Sequence, residues 1–166
     1  MNIILFLQQI FKYNQMEKLI ITNTITISAP ASKVWDALTN PELTKLYMFG
    51  CETVSTWKPG SSLLWRMELD GKEFIAVKGN IVDIQPEKYL AYTVIDPNSD
   101  IEDIPENYLT VTYELKEDNG STSLIVTQGD YKTVGEGERR YVEAYNSGEG
   151  WNPILEEIKK LVEMDS

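Results

Sequence analysis

The sequence predicts an α+β fold of the helix-grip type, in which a curved antiparallel β-sheet wraps around a long C-terminal α-helix and two short helices follow the first strand. Between residues 139 and 164, apolar side chains recur at steps of three and four, the spacing of one helical face. Before this segment, alternating stretches are joined by short turns, which is typical of antiparallel hairpins. Such a sheet must cover its apolar face, and the terminal helix is the largest element available to cover it.

The first fifteen residues stand apart from the rest of the chain. Their apolar block, Ile3 to Leu7, is too short for stable membrane insertion, and the segment lacks the basic start and cleavage site of a secretory signal. Three interpretations remain: a helix that docks on the domain or a partner, a weak membrane contact, or an upstream start codon with Met16 the true beginning. We expect residues 1–15 to be an extension and residues 16–166 to form a single domain.

The first strand and the two short helices come next. Leu19 to Ser28 alternates and is rich in β-branched residues, so it predicts a strand. Ser28 or Pro30 opens a short helix over residues 31–38, and Pro41 begins a second short helix over residues 42–48.

The middle of the chain predicts five or six antiparallel strands. Asp70–Gly71 is the strongest two-residue hairpin signal, and Gly79 predicts a bulge that curves the sheet. Alternation places Arg66 and Lys78 on the outer face. The predicted strands are 51–57, 63–69, 72–85, 89–95, 108–116 and 121–128.

The closing helix carries Tyr141, Tyr145 and Trp151 on one face, followed by aliphatic residues. Pro153 lacks the N–H that a helix interior needs, so it must kink the helix or restart it with Asn152 as N-cap.

Composition excludes several classes of function. A net charge of −11 repels nucleic-acid phosphates, so no nucleic-acid partner is expected. The absence of histidine removes the commonest general base and most zinc or iron sites. The single cysteine, Cys51, cannot form an internal disulfide, which favours the cytoplasm.

The acidic segment after the fourth of these strands imitates a calcium loop without completing it. Asp96, Asn98 and Asp100 have the right spacing, but Ile101 stands where glycine is needed and Asn107 where a bidentate glutamate is needed.

No two carboxylates share an inward face, as general acid–base catalysis would require. We therefore expect no metal, no cofactor and no catalytic residue. Whether the protein is an enzyme stays open, with a binding protein favoured.

Ile25 to Leu43 resembles the opening of the SRPBCC superfamily, the START-like or birch-pollen-allergen-like proteins. More narrowly, the chain resembles the family related to the C-terminal domain of the activator of heat-shock-protein-90 ATPase. Lys78–Gly79 resembles that family's central hairpin, and Gly150–Trp151 resembles the start of its closing helix. The resemblance covers residues 16–162, and it departs at Tyr47–Phe49, where an aromatic pair often closes the second helix.

The resemblance implies a small-molecule binding protein that holds an apolar or aromatic ligand between helix and sheet. It implies two alternatives: a stress-related module that interacts with a chaperone, or an enzyme of cyclase or hydrolase type. The candidate ligand-binding residues are Trp35, Trp65, Met67, Phe74, Tyr92, Tyr113, Tyr141, Tyr145 and Trp151. Leu63 also faces inward. If no cavity exists, these same side chains would fill a solid core.

Overall fold

A computed structural model describes residues 2–15 and 17–164. Met16, the alternative start, lies outside the described residues. The helices are α1 (Ile3–Gln15), α2 (Ala31–Thr39), α3 (Pro41–Tyr47), α4 (Gly137–Tyr145) and α5 (Asn152–Met164). The strands are β1 (Ile21–Ile27), β2 (Glu52–Val54), β3 (Ser62–Leu69), β4 (Lys72–Gln85), β5 (Tyr89–Val94), β6 (Leu109–Asp118) and β7 (Ser121–Gly129).

The strands form one seven-stranded sheet in the order β1-β7-β6-β5-β4-β3-β2, and every paired neighbour is antiparallel. The predicted turn at Asp70–Gly71 joins β3 to β4, and Asn119–Gly120 joins β6 to β7. All four of these turn residues have positive φ, as type I′ hairpins require. The helix-grip class predicted from the sequence is confirmed, although β2 is shorter than predicted.

The sheet curves at two register shifts. Trp65 pairs with Val77 and Arg66 with Ile75, which leaves Ala76 as an extra residue on β4. A second shift lies between Ile81 and Asp83.

The prediction of a bulge at Gly79 is wrong, because neither shift falls there. The glycine is needed for another reason: a Cβ atom at this position would lie 1.6 Å from the carbonyl oxygen of Thr93.

The two short helices form where the sequence places them. The Asn40 side chain accepts a hydrogen bond from the Glu42 N–H at 3.0 Å, and Pro41 occupies the first helical position. At the end of α3, the buried Tyr47 hydroxyl donates to the Ala37 carbonyl at 2.7 Å and ties α3 to α2.

The closing segment is two helices, α4 and α5, so of the two alternatives stated for Pro153 the structure has the restart. Asn146 and Ser147 adopt left-handed backbone conformations with φ of 47° and 55°, which end α4. The chain restarts as α5 at Asn152, so Pro153 lies in the first turn of a new helix and produces no internal kink.

Asn23 on β1 fastens the junction between α4 and α5 to the sheet. Its Oδ1 accepts a hydrogen bond from the Trp151 N–H at 2.9 Å, and its Nδ2 donates to the Glu149 carbonyl at 3.3 Å. The break in the helix is therefore held by a tertiary contact, which fixes the position of the Trp151 side chain.

The main core lies between the inner face of the sheet and helices α2 and α5. The inner face of β6 and β7 is buried, and α5 covers this part of the sheet. The sheet residues are Leu109, Val111, Tyr113, Leu115, Leu124 and Val126, and the α5 residues are Leu155, Ile158 and Val162. Within residues 2–15 and 17–164, no helix is long and apolar enough to cross a membrane.

Candidate ligand cavity

A cavity of about 370 Å³, which we name the inner cavity, lies between the sheet and the α4–α5 junction. This volume falls in the range of about 300–1,000 Å³ that is typical of small-molecule sites. Met48 and Phe49, which follow α3, also line it, and Phe49 is 81% exposed. The side chains that define its wall are Trp65, Ala76, Val77, Tyr92, Trp151 and Ile154.

A chain of aromatic rings crosses the molecule at this cavity. Ring centroids are 6.4 Å apart between Trp65 and Tyr92, 5.5 Å between Tyr92 and Tyr113, and 6.0 Å between Tyr113 and Trp151. The contacts are tilted or edge-to-face, which is the favourable geometry for aromatic quadrupoles. The rings therefore support one another and present a rigid apolar wall.

The polar atoms of these rings are engaged with neighbours. The Tyr92 and Tyr113 hydroxyls share a hydrogen bond of 2.6 Å, and burial raises the pKa of both groups, so both stay protonated. The Trp151 Nε1–H donates to Gln128 Oε1 at 2.8 Å.

Cys51 also lines the inner cavity and is buried. Burial raises the pKa of its thiol, which keeps the sulfur in its less nucleophilic, protonated form. Within the described part of the chain, no group of three or more cysteine, aspartate or glutamate residues could hold a metal ion.

A second cavity of about 400 Å³, which we name the outer cavity, adjoins the inner one. The two have Val77, Val94, Gln128 and Ala144 in common, so they share part of their wall. Unlike the inner cavity, the outer one has charged walls. Its charged residues are Asp96, Asp100, Arg139, Arg140 and Glu143.

The charged groups of the outer cavity are tied to the acidic loop. Arg139 Nη2 pairs with Asp100 at 3.0 Å. Asp96 Oδ1 accepts from the Asn98 N–H at 2.8 Å. Arg140 Nη1 donates to the Asn107 carbonyl at 2.9 Å, and burial lowers the pKa of its guanidinium.

Tyr141 and Tyr145 lie away from the inner cavity. They line a separate space of about 250 Å³ between α1 and α4, where Phe6 of α1 is on the opposite wall. Their rings stack with centroids 5.4 Å apart. The sequence analysis placed Trp151 beside them, but Trp151 follows the break after α4 and lines the inner cavity instead.

The structure thus separates the predicted lining residues into two sets. The residues at the inner cavity are Trp65, Tyr92 and Trp151. The other predicted residues lie elsewhere. Trp35 and Met67 pack at the edge of the core, and Phe74 lies opposite Met67 in the β3–β4 hairpin. Tyr113 lies behind Tyr92, and Tyr141 and Tyr145 line the space between α1 and α4. As ligand-binding residues, all of them stay a prediction. Leu63 is buried in the core.

Among the lining residues that the sequence analysis did not predict, two were missed for different reasons. Ala76 reaches the wall beside Val77 because the register shift places consecutive residues there, and no local pattern signals this. Gln128 had a signal: it continues the inward alternation of Leu124 and Val126 by one further step along β7.

Residues 28–163 match the family described as activator of Hsp90 ATPase homolog 1-like protein. The chain belongs to this family. The resemblance stated from the sequence is therefore confirmed at the family level. The match begins directly after β1 and spans α2, α3, the strands β2 to β7, α4 and nearly all of α5. The comparison with curated proteins gave no match.

Solved structures of the same fold agree with the family assignment. The solution structure of ChR145 from Cytophaga hutchinsonii is 36% identical, with a TM-score of 0.69 over 90% of this chain and 98% of that one. NE0264 from Nitrosomonas europaea is 20% identical, with a TM-score of 0.67 over 90% and 97%. PFC0360w, an HSP90 activator from Plasmodium falciparum, is 15% identical, with a TM-score of 0.64 over 87% and 96%.

Proposed function

We propose that this family member binds a small apolar or aromatic molecule in the inner cavity. The observation that carries the proposal is a space of about 370 Å³ at the α4–α5 junction whose wall is mostly apolar and aromatic. A ligand there would contact Trp65, Tyr92 and Trp151, whose flat rings offer large contact areas at little conformational cost. Met48 adds a flexible thioether that can adapt to ligand shape.

The chemistry of the wall favours binding over catalysis. Its two groups able to transfer a proton, the Tyr92 hydroxyl and the Cys51 thiol, have pKa values raised by burial. A general base works best when its pKa lies near the working pH, and raised values move both groups away from that condition.

The direct test is native mass spectrometry of protein purified from its own host, followed by denaturing extraction of any bound molecule. We expect a discrete apolar mass that is lost in Trp151→Ala, because this substitution removes one wall of the inner cavity.

Tyr145→Ala is the matched control. Tyr145 is another large aromatic residue near the α4–α5 junction, but it is 40% exposed and lines the α1–α4 space. Loss of the mass in Tyr145→Ala and its retention in folded Trp151→Ala would contradict the proposal and place the ligand beside α1.

A second proposal, that the protein interacts with a chaperone of the Hsp90 type in a stress response, is supported by the family assignment. The net charge of −11 would favour a basic surface on the partner. We expect binding to the host Hsp90 that weakens as salt increases. Absence of binding at low salt would contradict it. We also propose a cytoplasmic location, which is supported by the single cysteine of the chain.

A further inference from the structure

We infer that the ligand of the inner cavity is uncharged and carries a hydrogen-bond acceptor oxygen, such as a ketone, ester or ether oxygen, which the side-chain amide of Gln128 binds. The inference rests on the proposed function, because it names the chemistry of the molecule that this cavity takes.

The orientation of the Gln128 amide follows from its contact with Trp151. The indole N–H can only donate a hydrogen bond, so the Gln128 atom 2.8 Å from Trp151 Nε1 must be the oxygen. The amide NH2 is then on the side opposite to the contact. The Trp151 backbone is held by Asn23 and its ring packs against that of Tyr113, so the indole is a fixed reference for this orientation.

The NH2 group has room for a ligand. Among the described residues, the contact with Trp151 is the one hydrogen bond that the Gln128 side chain makes. Gln128 lines both the inner and the outer cavity, at their common boundary. A partly buried amide donor next to an apolar wall loses free energy unless an acceptor reaches it, and a ligand oxygen would supply that acceptor.

The rest of the wall excludes a charged ligand group. Of the described residues that line the inner cavity, none carries a charge, so an ion entering it would lose its hydration without compensation. The Tyr92 hydroxyl is already paired with Tyr113. In the outer cavity three carboxylates, Asp96, Asp100 and Glu143, outnumber two arginines, and together with the net charge of −11 this balance disfavours an anion there.

The test compares two molecules of nearly identical shape: benzophenone and the hydrocarbon in which C=CH2 replaces its C=O. Their affinities are measured by isothermal titration calorimetry for the wild-type chain and for Gln128→Met, which keeps an unbranched side chain and removes the amide. We expect Gln128→Met to weaken benzophenone binding about three- to tenfold, the worth of one hydrogen bond, and to leave hydrocarbon binding unchanged.

Thr127→Val is the matched control. Thr127 is the neighbour on β7, and its hydroxyl bonds to that of Thr112 on the other face of the sheet. We expect both affinities to stay at their wild-type values in this variant.

Three results would overturn the inference. Unchanged benzophenone affinity in Gln128→Met, or an equal loss of affinity for both molecules, would show that the Gln128 amide does not bind the ligand oxygen. The proposal that the cavity binds a ligand would still stand. Failure of the wild-type chain to bind either molecule would overturn the proposed function as well. Should Gln128→Met fail to fold, the inference is tested by NMR spectroscopy of the wild-type chain. Benzophenone must then shift the resonance of the Gln128 side-chain amide, and the hydrocarbon must leave it unchanged.

Discussion

Gly79 allows two strands of the sheet to pass closer than any side chain would permit. Its missing Cβ leaves space for the Thr93 carbonyl oxygen, and Thr93 Oγ1 accepts the Asn80 N–H at 3.0 Å beside it. This close approach lies between the two register shifts of β4, so it belongs to the region where the sheet bends around the inner cavity.

Gly79→Ala should lower the free energy of unfolding by more than about 2 kcal/mol, because backbone atoms must move to relieve the overlap. Denaturant titration measures this change. Asn80→Ala is the control: its side chain is exposed, so we expect a change within about 0.5 kcal/mol. A Gly79→Ala protein as stable as Asn80→Ala would contradict the close approach.

Cys51 gives a second prediction at the level of single residues, since it is the chain's one cysteine. Burial favours the neutral thiol and raises its pKa, and the thiolate is the reactive form. Modification by a small thiol reagent should therefore require higher pH than modification of a cysteine in an unstructured peptide. A ligand of the inner cavity should slow it further. Equal pH profiles for protein and peptide would contradict this expectation.

Among the secondary-structure elements, the α4–α5 junction depends most on a contact distant in sequence. Asn23 accepts the Trp151 N–H and donates to the Glu149 carbonyl, so β1 holds the non-helical residues in place. Gly150 is part of this arrangement, because a Cβ atom there would lie 2.5 Å from Asn23 Oδ1.

Asn23→Ala should cost about 1–3 kcal/mol of stability, because it leaves the Trp151 N–H without its acceptor. Hydrogen exchange of the Trp151 amide should become faster. Asn23→Asp keeps an acceptor oxygen and should have a smaller effect, and Thr24→Ala, an exposed neighbour, should have none. Unchanged exchange in Asn23→Ala would show that the junction is held by other contacts.

The elements that local sequence determines could be predicted, and those set by distant contacts could not. Alternation and the Asp70–Gly71 turn predict the β3–β4 hairpin, since both signals are local. Pro153 signals the restart of the helix, but the end of α4 at Tyr145 could not be predicted, because apolar spacing continues across it and Asn23 acts from the other end of the chain. The same limit applies to the candidate site: alternation finds Trp65, whereas Ala76 depends on a register shift.

At the scale of the whole molecule, an acidic surface encloses an interior rich in tyrosine. The net charge is −11, and Tyr47, Tyr92 and Tyr113 are buried. Burial raises the pKa of all three, because the phenolate would lose its hydration.

Stability should therefore be lost in alkali. Above about pH 10, tyrosines of the unfolded chain release protons that the folded chain keeps, so the free energy of unfolding falls as pH rises. The stabilisation is fully present below that pH, and each buried tyrosine contributes a slope of about 1.4 kcal/mol per pH unit above it. Denaturant titrations across this range, with tyrosinate absorbance, measure the effect. Free titration of all tyrosines without loss of structure would contradict it.

The inner cavity also has a mechanical consequence. Unfolding eliminates internal void, so the volume change of unfolding becomes more negative as more of the cavity is unfilled. Hydrostatic pressure should therefore unfold the ligand-free chain more readily than the ligand-bound chain. Pressure would then distinguish a protein whose cavity of about 370 Å³ is filled from one whose cavity is not, without knowledge of what fills it.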